Sequence, residues 1–232
     1  VLDDVMDLFP GDFIHVGGDE CRKTRWRECP KCQARIQEEG LTDESQLQSY
    51  FICRVGRVLA DHGRRLIGWD EILEGGLAPT ATVMSWRGVD GGVAAANAGH
   101  DVVFAPNSHT YLNQYQDSDV FAEPVAIGGH LPIEKVYQYE PVPPELKPEQ
   151  AGHVLGAQAQ LWTEYMSTPK QVEYMAFPRA SALAEVLWSK PTVHDFQGFA
   201  SRLPRMLRRL DVLDVNYRKP GPAMQTDAPP SL

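Results

Sequence analysis

The sequence has no block of positive charge. Its 22 Lys and Arg are outnumbered by 31 Asp and Glu, for a net charge of −9, and the basic residues are scattered singly, so a polyanion would find no electrostatic footprint. The short group Arg205, Arg208 and Arg209 stands at helical spacing and reads as a solvated face. Nucleic acid is therefore not an expected partner. Long apolar runs are missing too: none approaches the roughly 20 residues of a membrane span, and no membrane partner is expected. An initiator Met is absent, and Val1 to Leu8 carry acids rather than the basic start of a signal peptide. The sequence opens inside what reads as a helix end leading into a strand, which is expected of a fragment boundary and says nothing about secretion.

Cysteine is scarce. Of the four, Cys21, Cys29, Cys32 and Cys53, the pair in Cys29-Pro30-Lys31-Cys32 has the spacing of a redox motif or of half a zinc site. A structural zinc usually needs a second close pair, and Cys21 and Cys53 are far apart. Reduced thiols or one local disulfide remain open, and neither a metal nor a cofactor is expected.

What is present is a composition that supports a sizeable core: 232 residues, 43% hydrophobic and 23% charged. Short apolar segments alternate with longer helical patterns, as in an α/β protein with a parallel sheet. Strands are expected at Asp12 to Val16, Arg65 to Trp69, Ala81 to Trp86, Asp101 to Ala105 and Val154 to Leu161. Leu47, Tyr50, Phe51, Val55, Val58 and Leu59 predict a helix over Ser45 to His62, closed by Gly63. Helices are also expected at Val93 to Ala98, Pro169 to Trp188 and Thr192 to Leu213, and residues 107 to 150 form a long excursion of the kind that usually carries function. Five strands followed by loops or helices fit either an open sheet or the last five units of an eight-unit (β/α)8 barrel. Residues 1–218 read as one such domain and 219–232 as a Pro-rich polar tail.

Three signals carry chemistry. In His15-Val16-Gly17-Gly18-Asp19-Glu20 two adjacent carboxylates follow a strand flanked by Phe13, Ile14 and Val16, all expected to be buried, and the glycines allow close backbone approach. A retaining glycosidase with a carboxylate nucleophile holds its two acids about 5 Å apart across the scissile bond. Sequence neighbours cannot easily straddle a sugar in that way, so if the pair does glycoside chemistry, one of the two should do something other than attack carbon. The second signal is aromatic: Trp69, Trp86 and Trp162 each stand at an expected strand end, where they would line an apolar slot at a barrel mouth. The third is Tyr111, in a segment that opens the long excursion; it reads equally as a site hydroxyl or as a loop aromatic covering the core.

Taken in order, Gly17-Gly18-Asp19-Glu20, Trp69, Trp86, Tyr111 and Trp162 with Glu164 resemble the catalytic barrel of the family 20 glycoside hydrolases, the β-N-acetylhexosaminidases, from the first strand to about Pro220. The resemblance implies substrate-assisted hydrolysis, this family's departure from two-carboxylate chemistry. It implies that Glu20 is the general acid and later the base. It also implies that Asp19 orients the 2-acetamido group and that Tyr111 bonds its carbonyl oxygen. Trp69, Trp86 and Trp162 would enclose the acetamido methyl, Glu164 would accept from sugar hydroxyls, and His15 would support the acids from behind. Trp26 and Trp188 have no place in this pattern and read as packing residues.

Asn113 stands where many family members carry Asp; its amide can still bond a sugar hydroxyl without the charge, leaving galacto or gluco preference open. The family's first three β/α units, with a sugar-gripping arginine, an aspartate and a histidine, have no counterpart here. The isolated chain is therefore expected to be inactive, with an exposed sheet edge. By family analogy the setting is secreted, periplasmic or lysosomal, and the partner is an N-acetylhexosaminide. Two other readings stay in view: a non-catalytic sugar-binding remnant, and a metal-dependent barrel hydrolase using Asp19, Glu20 and His15.

Overall fold

The computed structural model describes residues 1–221. The expected tail at 219–232 therefore lies largely outside the described residues. The chain forms two compact units, one of Val1–Phe104 with Val142–Gly156, the other of Ala105–Pro141 with the residues from Ala157 onward.

The first unit is built on a sheet. Its elements are α1 (Leu2–Leu8), β1 (Phe13–His15), α2 (Thr24–Glu28), α3 (Pro30–Glu38), α4 (Glu44–Asp61), β2 (Arg65–Trp69), β3 (Thr82–Ser85), α5 (Asp90–Asn97) and β4 (Val102–Phe104). β5 (Val154–Ala157) closes the sheet at the unit boundary. The strands lie in the order β1-β2-β3-β4-β5. The first four pair in parallel, with Ile14 opposite Leu66, Gly68 opposite Val83 and Met84 opposite Val103. A doubly wound sheet reverses its strand order part-way, whereas a singly wound barrel runs through it in sequence. The unbroken order is that of consecutive units of a (β/α)8 barrel.

All four residues of β3 are buried, and Leu66, Leu59, Val83, Val102 and Phe104 are at most 2% exposed. Removing each such side chain from water contributes about 1.5–3 kcal/mol. β1 is an edge, and there the expectation fails in detail: Phe13 is 39% exposed, lying under the Arg65 guanidinium at 4.7 Å, and Val16 is only half-buried. A strand with one neighbour can bury only one side of its row.

Helix α4 begins at Asp43, whose carboxylate accepts the Gln46 N–H at 2.9 Å. Its inward face differs from the one expected. Gln48, Ser49, Ile52 and Leu59 are buried, while Phe51 and Val58 are exposed. Gly56 faces Leu66, where a Cβ would make an ordinary contact with Leu66 Cδ1 at 3.5 Å. The two inward polar residues are each bonded to backbone carbonyls, Gln48 to Gly18 and Ser49 to Gly76, which is what makes their burial tolerable.

The second unit is helical: α6 (Asn107–Thr110), α7 (Ile133–Tyr137), α8 (Pro169–Ala176), α9 (Arg179–Trp188) and α10 (Phe196–Val212). The single helix expected over Pro169 to Trp188 is two, because Pro178 has no N–H to continue the ladder and its ring clashes with the preceding turn. α10 starts at Asp195, which caps the N–H groups of Gln197 and Gly198. Trp188 ends α9 at 92% exposure, so among the described residues it is not the packing residue expected.

At the centre of this unit lies Arg179, 0% exposed. Its guanidinium donates to the carbonyls of Gln114, Leu131, Leu112 and Met175 at 3.1, 2.9, 2.5 and 2.8 Å. Burial pushes its pKa down to about 9, which still leaves it charged at neutral pH. The long excursion is thus tied to α8 and α9 through one cation.

Candidate active site

The C-terminal ends of β1, β2 and β3 gather His15, Asp19, Glu20, Trp69 and Trp86 in the first unit. After β1 the chain turns through Gly17 (φ 74) and Gly18 (φ 101). Only glycine takes the second conformation at that place without cost: the angle is unfavourable for a side chain, and a Cβ would sit 2.5 Å from Ile72 Cγ2. The Gly17 carbonyl accepts the Trp69 N–H at 2.9 Å, and the Gly18 carbonyl accepts Gln48 Nε2 at 2.7 Å. Two neighbouring elements therefore hold the turn from either side.

Asp19 and Glu20 emerge from this turn exposed. Glu20 has a φ of 49, a left-handed conformation that costs a residue with a side chain about 1–3 kcal/mol and is usually retained where the surroundings enforce it. Here its N–H points to Glu71 Oε1 at 3.4 Å. His15 is packed edge-on against Trp69, ring centroids 4.8 Å apart at 63°, and its Nδ1 accepts the Gly17 N–H at 3.1 Å. One edge of the imidazole meets solvent. Loss of water around the packed face lowers its pKa, and the Asp19 charge partly opposes this. His15 thus supports the turn as a neutral ring.

Trp69 is buried at the end of β2, and Trp86 follows β3 half-buried. Next to Glu20 is a cleft of about 390 Å³ lined by Glu20, Cys21, Arg22, Lys23, Glu71, Glu74 and Arg87. Its ionic wall is continuous: Lys23 pairs with Glu74 at 3.2 Å, and Arg87 pairs with Glu74 at 3.3 Å and Asp70 at 3.0 Å. Asp70 and Glu71 are both buried. Neither these two acids nor Gln48 was expected to matter, although an Asp-Glu pair directly after a strand-end tryptophan was a visible signal.

The second unit holds the other expected residues. Tyr111 bridges to Gln160 in parallel, fixed by the Leu112 N–H on the Gln160 carbonyl and the Gln160 N–H on the Thr110 carbonyl, at 2.8 and 2.9 Å. This places the Tyr111 ring 6.5 Å from that of Trp162. Trp162 is 41% exposed and lies in a loop beyond β5 rather than at the strand end. Glu164 is exposed. Asn113 is 3% exposed, with its Oδ1 enclosed and unbonded among the described residues.

Comparison with known proteins decides the family: the glycosyl hydrolase family 20 catalytic domain model matches residues 1–191. The chain belongs to glycosyl hydrolase family 20. A beta-hexosaminidase of Porphyromonas gingivalis is 54% identical over 96% of this chain and 29% of its own length. Among solved family 20 structures, an exo-β-N-acetylglucosaminidase of Vibrio harveyi in complex with N-acetylglucosamine has a TM-score of 0.80 at 33% identity, covering 94% of this chain and 34% of that one. A chitobiase of Flavobacterium johnsoniae has a TM-score of 0.76 at 31% identity, covering 92% and 32%. The chain therefore spans about a third of the length of these family 20 relatives, which agrees with a partial barrel.

Proposed function

We propose that the protein carrying this chain hydrolyses terminal non-reducing N-acetyl-β-D-hexosamine residues, with retention and with the substrate's own acetamido group as nucleophile. The observation that carries this reading is the Gly17-Gly18 turn presenting Asp19 and Glu20 side by side at the sheet end that also bears Trp69 and Trp86. Adjacent acids cannot easily straddle a glycosidic bond, which agrees with a nucleophile supplied by the substrate, as membership of family 20 implies.

In this reading the acetamido carbonyl oxygen attacks the anomeric carbon as Glu20 gives its proton to the glycosidic oxygen and the aglycone leaves. Asp19 accepts the acetamido N–H and balances the charge that develops as the oxazolinium forms. Glu20, now a carboxylate, takes a proton from the water that opens the oxazolinium at the anomeric carbon. Tyr111 is assigned the acetamido oxygen, Trp69, Trp86 and Trp162 the methyl and ring faces, and Glu164 and Asn113 the outer hydroxyls. The N-acetylglucosamine complex of the Vibrio harveyi relative supports this substrate class. A secreted, periplasmic or lysosomal setting is proposed with it, to be tested by fractionation.

The test is release of p-nitrophenol from p-nitrophenyl N-acetyl-β-D-glucosaminide by the full-length protein, beside Glu20→Gln and Asp19→Asn. Turnover lost by at least about 10²-fold in either variant, and blocked by an N-acetylglucosamine thiazoline, supports the mechanism. Sugar binding without turnover in the unsubstituted protein would favour a lectin-like role instead. Loss of activity on chelation would favour a metal-dependent hydrolase.

A further inference from the structure

The chain continues from β2 into a short 3₁₀ turn, Asp70–Leu73, and Trp69 together with this segment touches the turn bearing Glu20 at three points. The Trp69 N–H is on the Gly17 carbonyl, Ile72 packs where a Gly18 side chain would be, and Glu71 reaches the Glu20 backbone. Glu71 is the member whose chemistry the hydrolytic mechanism does not use. It is 6% exposed, and its two oxygens face two different donors. Oε1 faces the Glu20 N–H at 3.4 Å, and Oε2 accepts the Trp86 indole N–H at 2.9 Å. The Arg87 guanidinium stands 3.8 Å from Oε2 and keeps the buried acid compensated.

We propose that Glu71 is a positioning residue that yokes the general acid to the aromatic wall, holding Glu20 in its left-handed backbone conformation and the Trp86 indole in one orientation at the same time. The inference rests on the hydrolytic reading above and deepens it. A carboxylate is required because it alone among side chains of this size offers two acceptor oxygens. An amide in its place would satisfy one donor and present its own N–H₂ to the other.

A group that positions a proton donor matters in proportion to how much the leaving group needs that proton. A 2,4-dinitrophenolate leaves without help, whereas the sugar alkoxide released from N,N′-diacetylchitobiose does not. In the full-length protein, Glu71→Gln is therefore expected to lower kcat on the chitobioside by about 10²-fold and on 2,4-dinitrophenyl N-acetyl-β-D-glucosaminide by less than about tenfold. KM should rise on both, because Trp86 serves both. Should Glu71→Gln not fold, Glu71→Asp, which keeps the charge but withdraws it by one methylene, carries the same comparison.

Equal losses on the two substrates in whichever variant folds would overturn the positioning role, since general destabilisation ignores the leaving group. No turnover of either substrate by the unsubstituted protein would overturn the hydrolytic reading and this assignment together.

Discussion

Gln48 lies 30 residues from Gly18 in the sequence, yet its side-chain Nε2 donates to the Gly18 carbonyl over 2.7 Å. A polar residue on the inward face of a helix is thus what fixes the carbonyl just before Asp19 and Glu20.

Replacing Gln48 by Met keeps the volume and removes the donor. Leaving the carbonyl without its partner is expected to cost about 1–3 kcal/mol. For a chain of this size that lowers the melting temperature by roughly 2–4 °C per kcal/mol. With the turn loosened, kcat should fall more than KM changes. A melting curve and a kcat that both match the unsubstituted protein would show that the bond carries no load.

His15 makes the stability of the first unit depend on pH. Its folded pKa lies below the ordinary 6.5 because of burial, so the unfolded chain binds the proton more readily. The contribution is fully present above pH 6.5 and is lost as pH falls from there through the lower folded pKa. Protonation also turns Nδ1 from acceptor to donor, which breaks the bond from the Gly17 N–H. Melting temperature measured between pH 7.5 and 5 should decline, and His15→Asn should flatten that slope. A slope unchanged by the substitution would place the titration elsewhere.

Arg179 should be among the least replaceable residues of the second unit. Arg179→Lys keeps the charge but cannot reach four carbonyls in a plane, and Arg179→Met removes the donors and strands the carbonyls of Leu112, Gln114, Leu131 and Met175. Each is expected to cost about 3–5 kcal/mol. Denaturant unfolding reads this directly, and a loss below about 1 kcal/mol would rule out the tie as a structural support.

The Cys29 and Cys32 thiols should differ in reactivity. Cys29 precedes α3, and the Cys32 backbone N–H and thiol lower its pKa, whereas the hydrogen bond to Cys29 raises that of Cys32. Iodoacetamide at neutral pH should therefore label Cys29 before Cys32, as peptide mass spectrometry would show. The reverse order would mean that the helix start does not shape these thiols. No group of three or more His, Cys, Asp or Glu placed to hold a metal occurs among the described residues.

The parallel strands and the Gly17-Gly18-Asp19-Glu20 turn are readable because each is a local pattern, an apolar run, a glycine pair, an acid pair, whereas the strand order is not local, since the same alternation fits an open sheet or a barrel. The inward face of α4 is not readable either, since Gln48 and Ser49 are buried to satisfy carbonyls of loops that helical periodicity does not see. Exposed Phe13 has another origin, the place of β1 at the end of the strand order, which an apolar run does not reveal. The break at Pro178 was visible in the sequence and outweighed by the apolar pattern around it. Glu71, two residues beyond Trp69, is visible in the sequence as half of an Asp-Glu pair, but its contact with the Glu20 backbone is set by the three-dimensional approach of two strand ends.

The unbroken succession from β1 to β5 has a consequence for biosynthesis. From β2 on, each strand pairs with the one made just before it, across a crossover or excursion that returns the chain to the same sheet. Among the described residues the sheet can therefore grow strand by strand as the chain emerges, and the turn bearing Asp19 and Glu20 gains its supports in chain order, first from Gln48 and then from Glu71.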